Sequence, residues 1–172
     1  MTSTRRESAV PDYSRTFIDR KGESILIKTL GESMYQRLIA MYLDYQPKDS
    51  FDGLPPIKDA ACVEWVQGMI RNGINLVALA SEESIVGHAA LFPIDERRCE
   101  ILMAVSPPYQ NVGIGTELTR SSVELARELG FRQVWLSVES RNARARHVYK
   151  KCGFECCSAE EQGDMDMRLN LR

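Results

Sequence analysis

The stretch Gln110-Asn111-Val112-Gly113-Ile114-Gly115-Thr116 sets two glycines between an apolar run, Ile101 to Val105, and an amphipathic one. Apolar run, tight loop and amphipathic run read as a strand, a turn and the start of a helix. Glycine lets the backbone turn without a Cβ and come close to a ligand. The first amide N–H groups of the helix have no partner inside it. A concave row of such donors at the positive end of a helix dipole suits a phosphate or pyrophosphate.

Neighbouring residues separate this loop from two familiar phosphate binders. A P-loop ends in Gly-Lys-Ser/Thr, whereas Gly115 is followed by Thr116-Glu117. A dinucleotide fingerprint needs a third glycine where Leu118 stands. What remains, from Val105 to Gly115, is V-x-P-x-x-Q-x-x-G-x-G. A second block places Asn142, Ala145, Tyr149, Gly153 and Phe154 in the order N-x-x-A-x-x-x-Y-x-x-x-G-F. Together these closely resemble the acyl-CoA-binding motif and the following tyrosine motif of the GNAT superfamily of N-acetyltransferases. Val148 stands where that family often has leucine, a conservative departure. The resemblance runs from Ile25 to the C-terminus and is strongest from Cys99 to Phe154.

The resemblance implies an α/β GNAT fold, a mixed central sheet of about six to seven strands flanked by helices. It also implies acetyl-CoA as co-substrate with no metal, and direct transfer of acetyl to a primary amine in a ternary complex. A CoA-binding module without turnover is the rival reading. By resemblance the cofactor is held by the strand backbone at Met103, Ala104 and Val105. The loop Gln110, Asn111, Val112, Gly113, Ile114, Gly115 and Thr116 joins it, with Asn142 on the CoA arm. Asn142 is equally a helix cap by residue type. Tyr149, seven residues on and so on the same helix face, resembles the family's general acid beside the acyl-CoA sulfur. For the general base, which must take a proton from an amine of pKa about 10.4, Glu100 comes first by resemblance and Glu139 second.

Composition sets the frame. The 172 residues, 44% hydrophobic and 27% charged, fit one domain, expected over residues 15–172 behind a loose tail at 1–14. A net charge of −2 gives no reason to expect nucleic acid as partner. No window approaches a membrane span of about 18 apolar residues, so a cytoplasmic protein is expected, acting on an amine acceptor and often, in this family, as a homodimer. The five cysteines are an odd number without paired metal spacing, which reads as reduced, mostly buried thiols.

Along the chain, Glu23–Leu30 reads as a strand and Glu32–Tyr45 as a helix. Prolines and Gly53 mark a loop to Pro56, and Asp59–Arg71 is again helical. The family places acceptor specificity in this region. Phe51 and Trp65 read as core residues. Asn75–Ala80, Ser84–Phe92 and Arg97–Val105 follow as three antiparallel strands. Beyond the glycine loop come a helix closed by Gly130, a parallel strand at Gln133–Val138, a helix at Asn142–Cys152, and strands at Phe154–Cys157 and Met165–Asn170. His88 lies in an apolar strand and reads as a core histidine. Arg141, Arg144, Arg146, Lys150 and Lys151 read first as a solvated helix face, with one of them as a partner for the CoA 3′-phosphate in the minority reading.

Overall fold

Ile25 and Ile27, spaced by two, put both side chains on one face of a strand, and this parity recurs through the sheet that dominates the computed structural model. Residues 10–159 and 163–172 are described. The expected tail lies outside them as far as residue 9. Within its last residues Tyr13 is buried, its N–H donating to Thr29 Oγ1 at 2.9 Å and its hydroxyl to Glu124 at 2.7 Å.

The elements run β1 (Ser14–Ile18), β2 (Ser24–Thr29), α1 (Tyr35–Asp44, entered by a 3-10 turn), α2 (Asp59–Asn72), β3 (Ile74–Ser81), β4 (Ser84–Pro93) and β5 (Arg98–Val105). There follow α3 (Ile114–Glu128), β6 (Gln133–Glu139), α4 (Ala143–Lys151), β7 (Glu155–Ala159) and β8 (Asp164–Asn170). The eight strands of the described residues form one mixed sheet in the order β1-β2-β3-β4-β5-β6-β8-β7. One strand more than the upper expectation is present, and it is β1. It carries only Phe17 and Ile18 as apolar residues, has no fully buried position and sits at the sheet edge, so its sequence lacks a strand's apolar alternation.

Helices cover both faces. Leu38, Tyr42, Cys62 and Val66 of α1 and α2 pack on Val77, Leu79, Ile85 and Ala104. Phe51 and Trp65 lie against this cluster, Trp65 edge-on to Tyr42 at 4.9 Å. On the other face Leu118 and Leu125 of α3 meet Ile25, Ile27 and Leu76, while Val123, Ala126 and Tyr149 meet Ile101, Leu136 and Met167. His88 is fully buried, bonded to the Tyr42 hydroxyl at 2.7 Å and to Asn75 Oδ1 at 2.8 Å. Because the Asn75 amide donates to two main-chain carbonyls, its oxygen must accept, so His88 carries its proton on Nε2. Burial pushes the imidazole pKa down to about 3, and the ring serves the core.

Of the five cysteines, all free, Cys62 and Cys99 are buried, Cys152 is half-buried, and Cys156 and Cys157 are exposed. The expectation of mostly buried thiols fails at β7, where a short strand beside β8 leaves Cys156 and Cys157 open to solvent.

Candidate active site

The site begins where the sheet comes apart. β5 and β6 pair in parallel only at Arg98↔Gln133, Cys99↔Val134 and Glu100↔Trp135. Beyond these three pairs β5 keeps β4 and β6 keeps β8, but the two diverge from one another. Main-chain groups of Ile101 to Val105 on the β6 side therefore face a wedge-shaped gap. Met103, Ala104 and Val105 lie along it, although the Val105 carbonyl already accepts from Gln110 Nε2 at 2.9 Å.

At the mouth of the gap stands the glycine loop. Gly113 precedes α3 with φ of 102° and makes no side-chain cap. That left-handed conformation is one that glycine alone adopts at little cost. Between Gln110, whose N–H donates to the Pro107 carbonyl, and Glu117, whose N–H donates to the Gly113 carbonyl, the amides of Asn111 to Thr116 have no recorded acceptor among the described residues. An uncapped, 15-residue helix with a row of open donors is built for an anion. Arg20, Arg120 and Lys151 line the adjoining depression with Gly113 and Thr116. Gln110 also donates to the Tyr45 hydroxyl at 3.3 Å, and its Oε1 accepts from Arg144 at 2.6 Å.

On the far side of the gap α4 presents Tyr149. Its ring is 6% exposed and packs edge-on to Phe154 at 5.7 Å. The hydroxyl makes no hydrogen bond among the described residues, and burial first, then Cys152 and Asp52, hold its pKa well above the usual phenol value. Asn142 caps α4, its Oδ1 accepting from Ala145 N–H at 3.1 Å.

The family model for the acetyltransferase (GNAT) family matches residues 34–154. The chain belongs to the GNAT acetyltransferase family. It is similar to the streptothricin acetyltransferase of Streptomyces lavendulae, 34% identical over 96 residues, 55% of this chain and 51% of that protein. It is also similar to the ribosomal protein bS18-alanine N-acetyltransferase of Haemophilus influenzae, 29% identical over 118 residues, 66% of this chain and 74% of that protein. The chain spans about half the length of several curated relatives it matches. Among solved structures, the GNAT domain of S. lividans PAT superposes with a TM-score of 0.79 at 16% identity, covering 92% of this chain and 97% of that one. A putative acetyltransferase from Salmonella typhimurium, solved with its cofactor acetyl-CoA, gives 0.67 at 17% identity, covering 86% and 94%. These two likenesses establish the GNAT fold.

Within this GNAT fold the loop 110–116, the β5 backbone and Tyr149 converge on one gap, while Asn142 stands at the start of the helix that carries Tyr149. Glu100 does not join them. It sits at the apex pair with Trp135, exposed, in a shallow depression with Arg98, Ser137 and Asp166. Glu139 lies four residues beyond Trp135, about 13 Å along the strand. A different carboxyl, Asp52, adds to the upward shift of the Tyr149 pKa after burial and Cys152; the sequence reading left it inside a loop. Asp-Gly at 52–53, flanked by Phe51 and Leu54, is a tight-turn signature, so the turn was legible; the partner it reaches was not. No described helix is long and apolar enough to cross a membrane.

Proposed function

We propose that this chain is an N-acetyltransferase, transferring acetyl from acetyl-CoA to a primary amine by direct attack within a ternary complex. The observation that carries this reading is the uncapped N-terminus of α3 opening onto the gap beside β5, with Tyr149, a buried residue packed in one cluster with Ile101 of β5 and Leu136 of β6, on the other side. The open amides of Asn111 to Thr116 suit a pyrophosphate, and Arg20, Arg120 and Lys151 suit a further phosphate. The unpaired edge of β5 at Met103 to Val105 suits the amides of a pantetheine arm, which would hydrogen-bond as a neighbouring strand does. The Asn142 oxygen already accepts one bond within α4, which leaves its amide N–H groups to donate to that arm.

Acetyl-CoA supplies an acyl group on a good leaving thiolate. The protein has then to orient the thioester, remove a proton from the acceptor ammonium and give one to the departing sulfur. Tyr149 is suited to the last step: its hydroxyl stays protonated, has no competing partner and belongs to a helix whose start is fixed by Asn142. The amine-acetylating relatives, acting by their names on streptothricin and on a ribosomal protein alanine, support an amine acceptor here.

Thermal melts with acetyl-CoA, followed by thiol release with a panel of primary amines, test the reading. A ligand at about 100 times its Kd stabilises by about 2.7 kcal/mol, a readily measured rise in Tm. No rise at millimolar acetyl-CoA refutes binding. A rise without thiol release from any amine indicates instead a silent CoA-binding module.

A further inference from the structure

We propose that Asp52 is the residue that takes the proton from the acceptor ammonium, with Glu139 and Asp164 holding that cation beside it. This rests on the acetyltransferase reading above and names the base and the charge class of its acceptor site.

The placement of Asp52 is built, not incidental. Phe51 and Leu54 exchange two main-chain hydrogen bonds of 3.1 and 2.9 Å, with Asp52 and Gly53 between them at φ of 50° and 75°. Two successive left-handed residues make a tight reverse turn, and the Asp-Gly pair is suited to it. The Phe51 ring packs edge-on to Tyr45 at 5.6 Å. Tyr45 in turn accepts from Gln110 of the glycine loop. The turn is therefore tied to the cofactor loop at its base, and its tip points across to β6, where Asp52 N–H donates to Glu139 Oε1 at 3.1 Å.

Three carboxyls meet there. Glu139 and Asp164 are cross-strand partners on β6 and β8, the Asp52 N–H is bonded to the first, and both carboxyls raise the pKa of Asp52. Among the described residues, the charged and titratable groups facing Asp52 from the surrounding elements are these two, with Tyr149 of α4. Arg141, bonded to Glu139 at 3.0 Å and 88% exposed, is the cation recorded at the cluster. Among the described residues, three carboxyls thus stand against one solvated arginine, a surplus of negative charge that favours a cation. An ammonium, which needs only hydrogen-bond acceptors and negative charge, fits such a surplus.

A second, independent feature points the same way. Tyr149 is 94% buried by its 6% exposure, has a hydroxyl with no protein partner among the described residues, and feels the charge of Asp52. The turn that carries Asp52 is also joined to the cofactor loop through Tyr45 and Gln110. The surroundings of the carboxyls also divide the labour between them. Arg141 and the Asp52 N–H hold Glu139 below its ordinary range, so it stays an anion. Asp52 is exposed at the tip of its turn, but partial desolvation of its carboxyl there, together with Asp164 and Glu139, pushes it up to about 6, close to the working pH of a general base.

The proton account closes. The ammonium gives one proton to the Asp52 carboxylate, which returns it to solvent. The neutral nitrogen then forms its bond to the thioester carbon, the C–S bond breaks, and the thiolate takes the Tyr149 hydroxyl proton. The second nitrogen proton, shed as the amide forms, restores Tyr149. The products are the amide, free CoA thiol and one released proton.

Thiol release from acetyl-CoA is measured for wild type, Asp52→Asn, Glu139→Gln and Glu100→Gln with ethanolamine, 1,5-diaminopentane and an alanyl peptide as acceptors. Asp52→Asn should lose about 10²- to 10³-fold in kcat/KM near pH 7. The deficit should shrink to under about tenfold near pH 10, where the amine deprotonates unaided. Asparagine tolerates a φ of 50°, and a disfavoured charge is removed, so Tm should be at or above that of wild type. Glu139→Gln should raise KM for the amine about tenfold, with a smaller change in kcat. The assignment is overturned if Asp52→Asn keeps the wild-type rate near pH 7, loses it equally at every pH, or melts several degrees lower. It is equally overturned if Glu100→Gln gives the larger pH-dependent loss. Failure of wild type to release thiol with any amine would instead refute the acetyltransferase reading itself.

Discussion

Replacing Tyr149 by phenylalanine removes one oxygen, the atom to which the general-acid role is assigned in the proposed reaction. A buried tyrosine hydroxyl usually contributes a net hydrogen bond of about 1 kcal/mol. Here it has no partner among the described residues, while the ring keeps its contact with Phe154 and its place among Ile101, Leu136 and Met167. Tyr149→Phe should therefore change unfolding stability by less than about 0.5 kcal/mol and leave the acetyl-CoA melting shift intact. Catalysis should fall. Loss of a general acid is typically about 10²- to 10⁴-fold, or about 3 to 5 kcal/mol of barrier, and it should appear in kcat rather than in cofactor affinity. The pH dependence has a definite sign. An acid works while protonated, and burial, Cys152 and Asp52 all raise the Tyr149 pKa above the usual 10. Wild-type kcat should show no alkaline decline due to this group below about pH 10. Steady-state thiol release across a pH series, with melts on the same samples, is the assay. Wild-type kcat in the Phe variant at every pH, or an alkaline limb near neutrality that the substitution removes, would refute the general-acid role.

Gly113→Val should abolish the acetyl-CoA melting shift. A Cβ at Gly113 meets nothing within 4 Å, so the obstacle is the φ of 102°, which a β-branched residue adopts only under strain and which aims the open amides; a retained shift would show that another part of the loop holds the phosphates. His88 should stay neutral through about pH 5 in the folded protein, because its pKa of about 3 lies far below the unfolded 6.5. The unfolded chain binds the extra proton in that window, so stability, fully present above about pH 6.5, should decline towards pH 3 by an amount on the order of a few kcal/mol. His88 imidazole NMR shifts that titrate near 6.5 in the folded state would refute it.

What the sequence made legible was local and periodic. The glycine loop, α3 and the Asn142-to-Tyr149 spacing state their geometry in residue types: the loop ends in the left-handed Gly113 before α3, Asn142 caps α4, and Tyr149 packs in one cluster with Ile101 and Leu136 of the two diverging strands. β1 escaped because an edge strand with one half-buried face leaves little apolar alternation to read. Glu100 and Asp52 show the harder limit. Strand parity turns Glu100 away from Cys99 and Ile101, its buried neighbours, and the pairing with Trp135 leaves it at the closed end of the gap. Asp52 is carried to Glu139 and Tyr149 by Phe51 packing on Tyr45 and by a turn reaching across 87 residues of chain separation. No spacing rule encodes a contact of that kind.

The divergence of β5 from β6 also answers a problem of solubility. Two runs of unpaired main chain in the middle of a sheet would ordinarily invite another polypeptide to add itself as a strand. Here the opening is closed at one end by three pairs, Arg98 to Glu100 with Gln133 to Trp135, and backed on each side by a strand already engaged with β4 or β8. A foreign chain could enter only by threading its end into a narrowing slot. A short linear molecule with amide groups and a bulky charged head can slide in and stop at the mouth. The geometry thus filters by topology, admitting a tethered arm where it turns away a polypeptide edge.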